Sequence, residues 1–413
     1  MKNITMKLLV ILSGVFFLTS CNKDLVQLAP LAKPVYPSGS GIAATLAANP
    51  SYSMYSALIT RAGMTAMLND STKTFTLFAT DNNGMKLFVN AATGGAVPLA
   101  APDATFLGFI AASLPAASAA GIVQYNTLGQ KLLASGIGTS FPNYPFTSQI
   151  ILDPTQPFVR MTIFPARGTP YSYVNNLPLI ASDMAATNGV IHTAYSVAAP
   201  PTATLKTMIA AEPTLSYFRA AVARADSGSI GLSKFDSLLN YGVTNMTVLA
   251  PNDAAFQTLV FGLVYSQVFA LTGNAAVAIA NANGAVAAGP AFLGTNNVTT
   301  ALVKGIVAYH LLATLTTSTS TPYQPNIRVF SNNFTAAGSF IKTLVNGGLA
   351  IHPGVLAKAT FTGPAVTGLQ FTGYGTFPPG GAPFSGAAAS AVTWDKHAVN
   401  GVYHIINSVL LPQ

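Results

Sequence analysis

The chain of 413 residues is half apolar but only 7% charged, where soluble domains usually carry about 25% charged residues. Gly, Pro, Ser, Thr and Asn fill that gap, no long Gly/Pro-free apolar run follows the N-terminus, and 24 Phe with 15 Tyr can build cores, so neither a polytopic membrane protein nor a disordered chain is expected. Its 19 basic residues exceed 11 acidic ones, but they are scattered and form no stripe of the kind that displaces counterions from nucleic acid.

In chain order, Lys2 and Lys7 precede an apolar run from Leu8 to Leu18, the pattern of an export signal over residues 1–20. Leu18-Thr19-Ser20-Cys21 then resembles the lipobox of bacterial lipoproteins, and Cys21 is the only cysteine. A lone thiol at this place fits an acylated anchor better than a disulfide or a metal ligand. Several acyl chains hold a membrane far more firmly than one. Asn22-Lys23-Asp24 has no Asp directly after the cysteine, and outer-membrane placement with exposure at the cell surface is the expectation. Residues 21–48, with Pro30, Pro34, Pro37 and Ser38-Gly39-Ser40-Gly41, read as a tether.

The remainder repeats itself. Phe75–Asn82 (FTLFATDN) matches Met246–Asp253 (MTVLAPND), Ile122–Asn126 (IVQYN) matches Ile306–His310 (IVAYH), and Thr187–His192 (TNGVIH) matches Val399–His404 (VNGVYH). The order is the same in both copies, which places domains at 49–200 and 201–413. From Ala79 to Asn126 is 47 positions against 60 from Ala250 to His310, and from Asn126 to His192 is 66 against 94 from His310 to His404. The excess of the second copy falls near 272–300 and 316–385, in Ala/Gly/Asn- and Gly/Thr/Pro-rich stretches that suggest surface loops.

Within each copy, Met54, Leu58, Ile59 and Ala62, and later Leu205, Met208 and Ile209, recur at helical spacing. A β-prone run then leads into Asp81-Asn82 or Asn252-Asp253, residues suited to capping a following helix. Asn188-Gly189 and Asn400-Gly401 suggest tight turns with positive backbone dihedrals. The closing strand alternates, with Val402, His404 and Ile406 on one face and Tyr403 and Ile405 on the other. Helices, strand, helix, mixed middle and closing hairpin make an α+β unit.

Taken together, the strand-into-helix segment, the central Tyr309-His310 and the closing Asn-Gly-Val-x-His run resemble the fasciclin domain in tandem. That resemblance implies two wedges of β-strands with helices packed along them, and a cell-surface role in adhesion. Copy one differs in having Asn126 opposite His310 and Thr80 opposite Pro251.

His192 and His404 share one repeat position and could be ligands or bases. No carboxylate or second His is evident beside them in both copies, so the simpler expectation is a half-buried His bonded to a loop. Asp395, His397 and His404 match no zinc spacing. Nucleophile elbows, phosphate-binding loops and His-Glu-x-x-His are missing, and Glu212 is the sole glutamate. A non-enzyme without cofactor or metal is therefore expected, binding an extracellular protein or glycan. Tyr323, Tyr374 and Phe377 on the loops of copy two, with Trp394 nearby, are candidate anchors. The alternative reading is a glycan-binding surface lipoprotein of a nutrient-uptake system.

Overall fold

Two parallel strand pairs form the centre of the molecule. In the first half Phe75–Thr80 runs beside Gly189–Ala194, and in the second Met246–Pro251 runs beside Gly401–Ile406. All residues of the four strands are buried, which is why these stretches read as nearly continuous apolar runs. The computed structural model describes residues 38–139, 144–168, 170–295, 298–315, 323–324, 327–347, 351–375, 384 and 386–412. Cys21 and Phe377 lie outside these residues. Long antiparallel strands, Leu177–Ala186 and Ala389–Ala398, pair with the closing strands, and the sheets extend to eight and seven strands respectively. The fold is mixed α and β with a sheet in each half.

Alternation along the closing strand sorts its side chains into two cores. Tyr403, Ile405 and Val409 join Leu205, Phe218, Phe256 and Ile306 from the helices. Ile406 and Leu410 join Leu249, Tyr309, Val355 and Phe371 on the other side. The first half repeats the division, with Leu77 and Ile191 among helix residues such as Leu58 and Val89, and Phe78 and Ala194 beside Tyr125 and Ile163.

Two adjacent polar residues after the opening strand cap two different helices. Asp81 and Asn252 accept from Gly84 and Ala255 at the start of the following helix, at 2.9 Å each. Their neighbours reach back: Asn82 Oδ1 accepts from the Met54 amide at 3.1 Å, and Asp253 Oδ1 from the Tyr217 amide at 2.8 Å. Each pair thus satisfies free N–H groups in the first turns of two helices, the one that follows the strand and an earlier one packed beside it.

Three expectations from the sequence need correction. Residues 42–47, assigned to the tether, form the helix Ile42–Ala47, with Ile42 and Leu46 fully buried. It occupies the place of Leu205–Ala211 in the second half, so the repeat unit starts before residue 49. The first excess of copy two is not a loop. It forms a helical hairpin, Asp253–Thr272 and Ala275–Ala287, with Gly273 left-handed at the turn and Asn274 capping the second helix. The helix Asp253–Thr272 has a mean hydropathy of 1.5 with 17% of its apolar window buried, and is long and apolar enough to cross a bilayer by length and composition.

The third correction concerns the Asn-Gly pairs. Neither Asn has a positive φ, and Gly189, at 158°, is close to extended. Glycine is needed because the backbone comes too close for a side chain: a Cβ would collide with the Phe75 carbonyl at Gly189 and with the Met246 carbonyl at Gly401.

Residues 38–413 form one compact unit, and core membership changes between Ala198 and Leu205. A small apolar cluster of Phe164, Phe330 and Val402 joins the halves, and Tyr173 Oη donates to the Pro364 carbonyl at 3.0 Å.

Candidate functional site

The repeated motif residues are buried, and their polar atoms bond mainly to backbone. Asn188 Oδ1 accepts from the Ile42 amide at 2.9 Å while its Nδ2 donates to the Leu68 and Asp70 carbonyls. Asn400 does the same with the Leu205 amide at 2.8 Å and the Leu239 and Tyr241 carbonyls. One amide thereby ties the first helix of each half to the loop before the opening strand.

His192 Nε2 donates to the Leu132 carbonyl at 2.7 Å, and His404 Nε2 to the Val329 carbonyl at 3.0 Å. Their Nδ1 atoms accept from the Asp183 and Asp395 amides at 3.3 and 3.4 Å, which leaves both rings neutral with the proton on Nε2. Burial lowers the pKa of both, against the opposing charge of Asp183 or Asp395.

A carboxylate does therefore recur beside the repeated His, contrary to the expectation from sequence. Asp183 and Asp395 each stand nine residues before it, at irregularities in the long strand, with φ of 62° and 59°. Their side chains accept from the loop that the His holds: Asp183 from the Ala134 amide at 2.9 Å, Asp395 from the Ser331 amide at 2.7 Å and its hydroxyl at 2.6 Å. Thr76 and Thr247 complete the arrangement by accepting from the Leu132 and Val329 amides at 2.7 and 2.8 Å. Thr, His and Asp together fasten one loop to the sheet in each half.

His310 is fully buried, donates from Nδ1 to the Ile306 carbonyl at 2.8 Å and accepts at Nε2 from the Leu410 amide at 3.0 Å. Burial pushes its pKa down to about 4. Asn126 replaces it with Nδ2 donating to the Ile122 and Ala198 carbonyls, leaving its Oδ1 buried without a partner. Tyr309 donates to the Gly354 carbonyl at 2.7 Å and accepts from the Tyr374 amide at 2.8 Å.

Of Asp395, His397 and His404, the first and last stay adjacent while His397 turns away toward Arg328. Asp395 faces Ser331, His404 faces Val329, and His397 Nε2 accepts from Arg328 Nη1 at 2.9 Å. Among the described residues no cluster of three or more His, Cys, Asp or Glu could hold a metal ion. Arg328 was not singled out from sequence. It is buried, donates to the Val399 carbonyl at 2.9 Å and lies 4.7 Å from the Phe164 ring across the junction of the halves. Burial lowers its pKa to about 10, so it stays charged at neutral pH.

Of the four candidate anchors, Tyr374 is half-buried with its ring against His352 and Phe384, and so is not a free contact. Tyr323 pairs in a two-residue strand, and its side chain lies outside the described residues. Phe377, as noted, lies outside them as well. Trp394 packs partly on the core of the second half and lines a cleft of about 390 Å³ together with Tyr195 of the first half. A second cleft, about 530 Å³, is lined by Tyr171 and Tyr173 from the first half and Phe334 and Phe361 from the second. Asn332 lines both.

No family model matches this chain, and no curated protein matches it. Among solved structures it is similar to a FAS1 domain pair from the insect cell adhesion molecule fasciclin I, at 12% identity over 87% of this chain and 96% of that one, with a TM-score of 0.32.

Proposed function

We propose that this is a non-catalytic, lipid-anchored envelope protein whose two fasciclin-like wedges mediate adhesion to, or binding of, an extracellular partner. The carrying observation is that the polar residues repeated in both halves (Asn188 and Asn400, His192 and His404, Asp183 and Asp395) fasten helices and loops to the sheet. Neutral, buried imidazoles held at both nitrogens have no free lone pair to act as a base. Binding then falls to surfaces between and around the halves. The lipobox-like Cys21 supports anchoring on the outer membrane, with the following segment holding the folded part off the bilayer.

The test uses cells expressing the full chain, labelled with a fatty-acid analogue and scored for attachment to neighbouring cells and immobilised extracellular matrix. Label that disappears in Cys21→Ala, with attachment that depends on the chain, is the expected result. Label retained in Cys21→Ala contradicts the anchor, and attachment indifferent to the chain contradicts the adhesive role.

A further inference from the structure

Asn332 lies on a short turn of the second half, only 5% exposed, and both Nδ2 and Oδ1 are buried without a hydrogen-bond partner. An amide left wholly unpaired is costly, and a native structure keeps few such groups. Its position adds meaning, because it stands in the wall shared by the two clefts at the junction of the halves. Aromatic side chains line both: Tyr171, 37% exposed, at one cleft, and Tyr195, 53% exposed, with Trp394 at the other. An amide offers one acceptor and two donors, which suit adjacent hydroxyls, while flat aromatic faces suit the C–H faces of a sugar ring.

We infer that the paired clefts form one carbohydrate site, in which each takes a pyranose ring of an oligosaccharide and Asn332 bonds to hydroxyls between them. This deepens the binding role proposed above and rests on it. Cleft volumes of about 530 and 390 Å³ lie within the range of small-ligand sites. The amide atoms are closed to solvent, so binding requires the Asn332 side chain to turn toward the cleft. Both halves line each cleft, so the site exists only while they stay packed together.

The purified full chain in detergent is screened against an array of neutral and uronate-containing oligosaccharides, and the tightest binder is titrated by calorimetry. Asn332→Leu removes an unpaired polar group, so it should melt no lower than the parent yet raise Kd at least tenfold. Tyr171→Ala combined with Tyr195→Ala should weaken binding by a similar factor, since both side chains are substantially exposed and add little to the core. Equal affinity in all variants, or no oligosaccharide bound by the parent, overturns the inference. Cells carrying the full chain that still adhere when no oligosaccharide binds leave the adhesion reading standing and remove only the carbohydrate site. Oligosaccharide binding with no chain-dependent adhesion does the reverse.

Discussion

His310 and Asn126 occupy one repeat position, and the difference between them sets a pH response. The His310 pKa falls from 6.5 to about 4 on burial. Between these values the unfolded chain binds the proton and the folded chain does not, so stability present above pH ~6.5 is lost as pH falls toward ~4. For His310 alone the loss is roughly 3 kcal/mol. His192, His397 and His404 are lowered too, burial being the first cause in each, and act in the same direction. The melting temperature should therefore drop steeply from pH 6.5 to 4. In His310→Asn the stability at neutral pH should be about 1–3 kcal/mol lower, and the melting temperature should fall less steeply with pH, because one proton no longer takes part. An unchanged slope would contradict the neutral buried imidazole.

Gly401 offers a second test at this scale. A methyl there meets the Met246 carbonyl and the Leu205 side chain, so Gly401→Ala should cost about 1–3 kcal/mol through overpacking, measured by chemical denaturation. A turn that needed only a left-handed residue would instead tolerate Gly401→Asn. That substitution should be at least as damaging as Ala.

Among the elements, the parts legible in the sequence are those whose logic spans a few residues. Asp81-Asn82 and Asn252-Asp253 announce strand-to-helix junctions, and the alternation from Val402 to Ile406 announces a strand with two covered faces. The helical hairpin of copy two was not legible as a hairpin, since Ala, Gly and Asn dominate its second helix. Gly273 and Asn274 (a C-terminal stop followed by an N-terminal cap) were the local signals of its turn. The hairpin is held mainly at its base, where Ala255, Phe256 and Val260 are buried, while Leu271 at the tip is 85% exposed. Leu271→Lys should change stability by no more than about 0.5 kcal/mol, whereas Phe256→Ala should cost about 3–5 kcal/mol. Comparable losses from the two, measured by denaturation, would mean that the tip is packed against something.

For the whole molecule, the repeat and its order were legible, because the matched runs lie at similar places in both copies. The junction was not. Arg328 meets Phe164 across a sequence separation of 164 residues that no local pattern records, and Asn332 acquires its setting only when both halves close around it. The Asp183 and Asp395 pairing was present in the sequence, nine residues before each His, but the irregular strand between them hid it from a period-two reading.

The central claim is that the repeated polar residues hold the fold while binding lies elsewhere. The most direct measurement is attachment per folded molecule for cells carrying the full chain with both His192→Gln and His404→Gln, alongside its melting temperature. The expected result is a lower melting temperature with attachment per folded molecule unchanged. Unchanged melting with attachment lost would contradict the account and place the repeated histidines in the binding machinery.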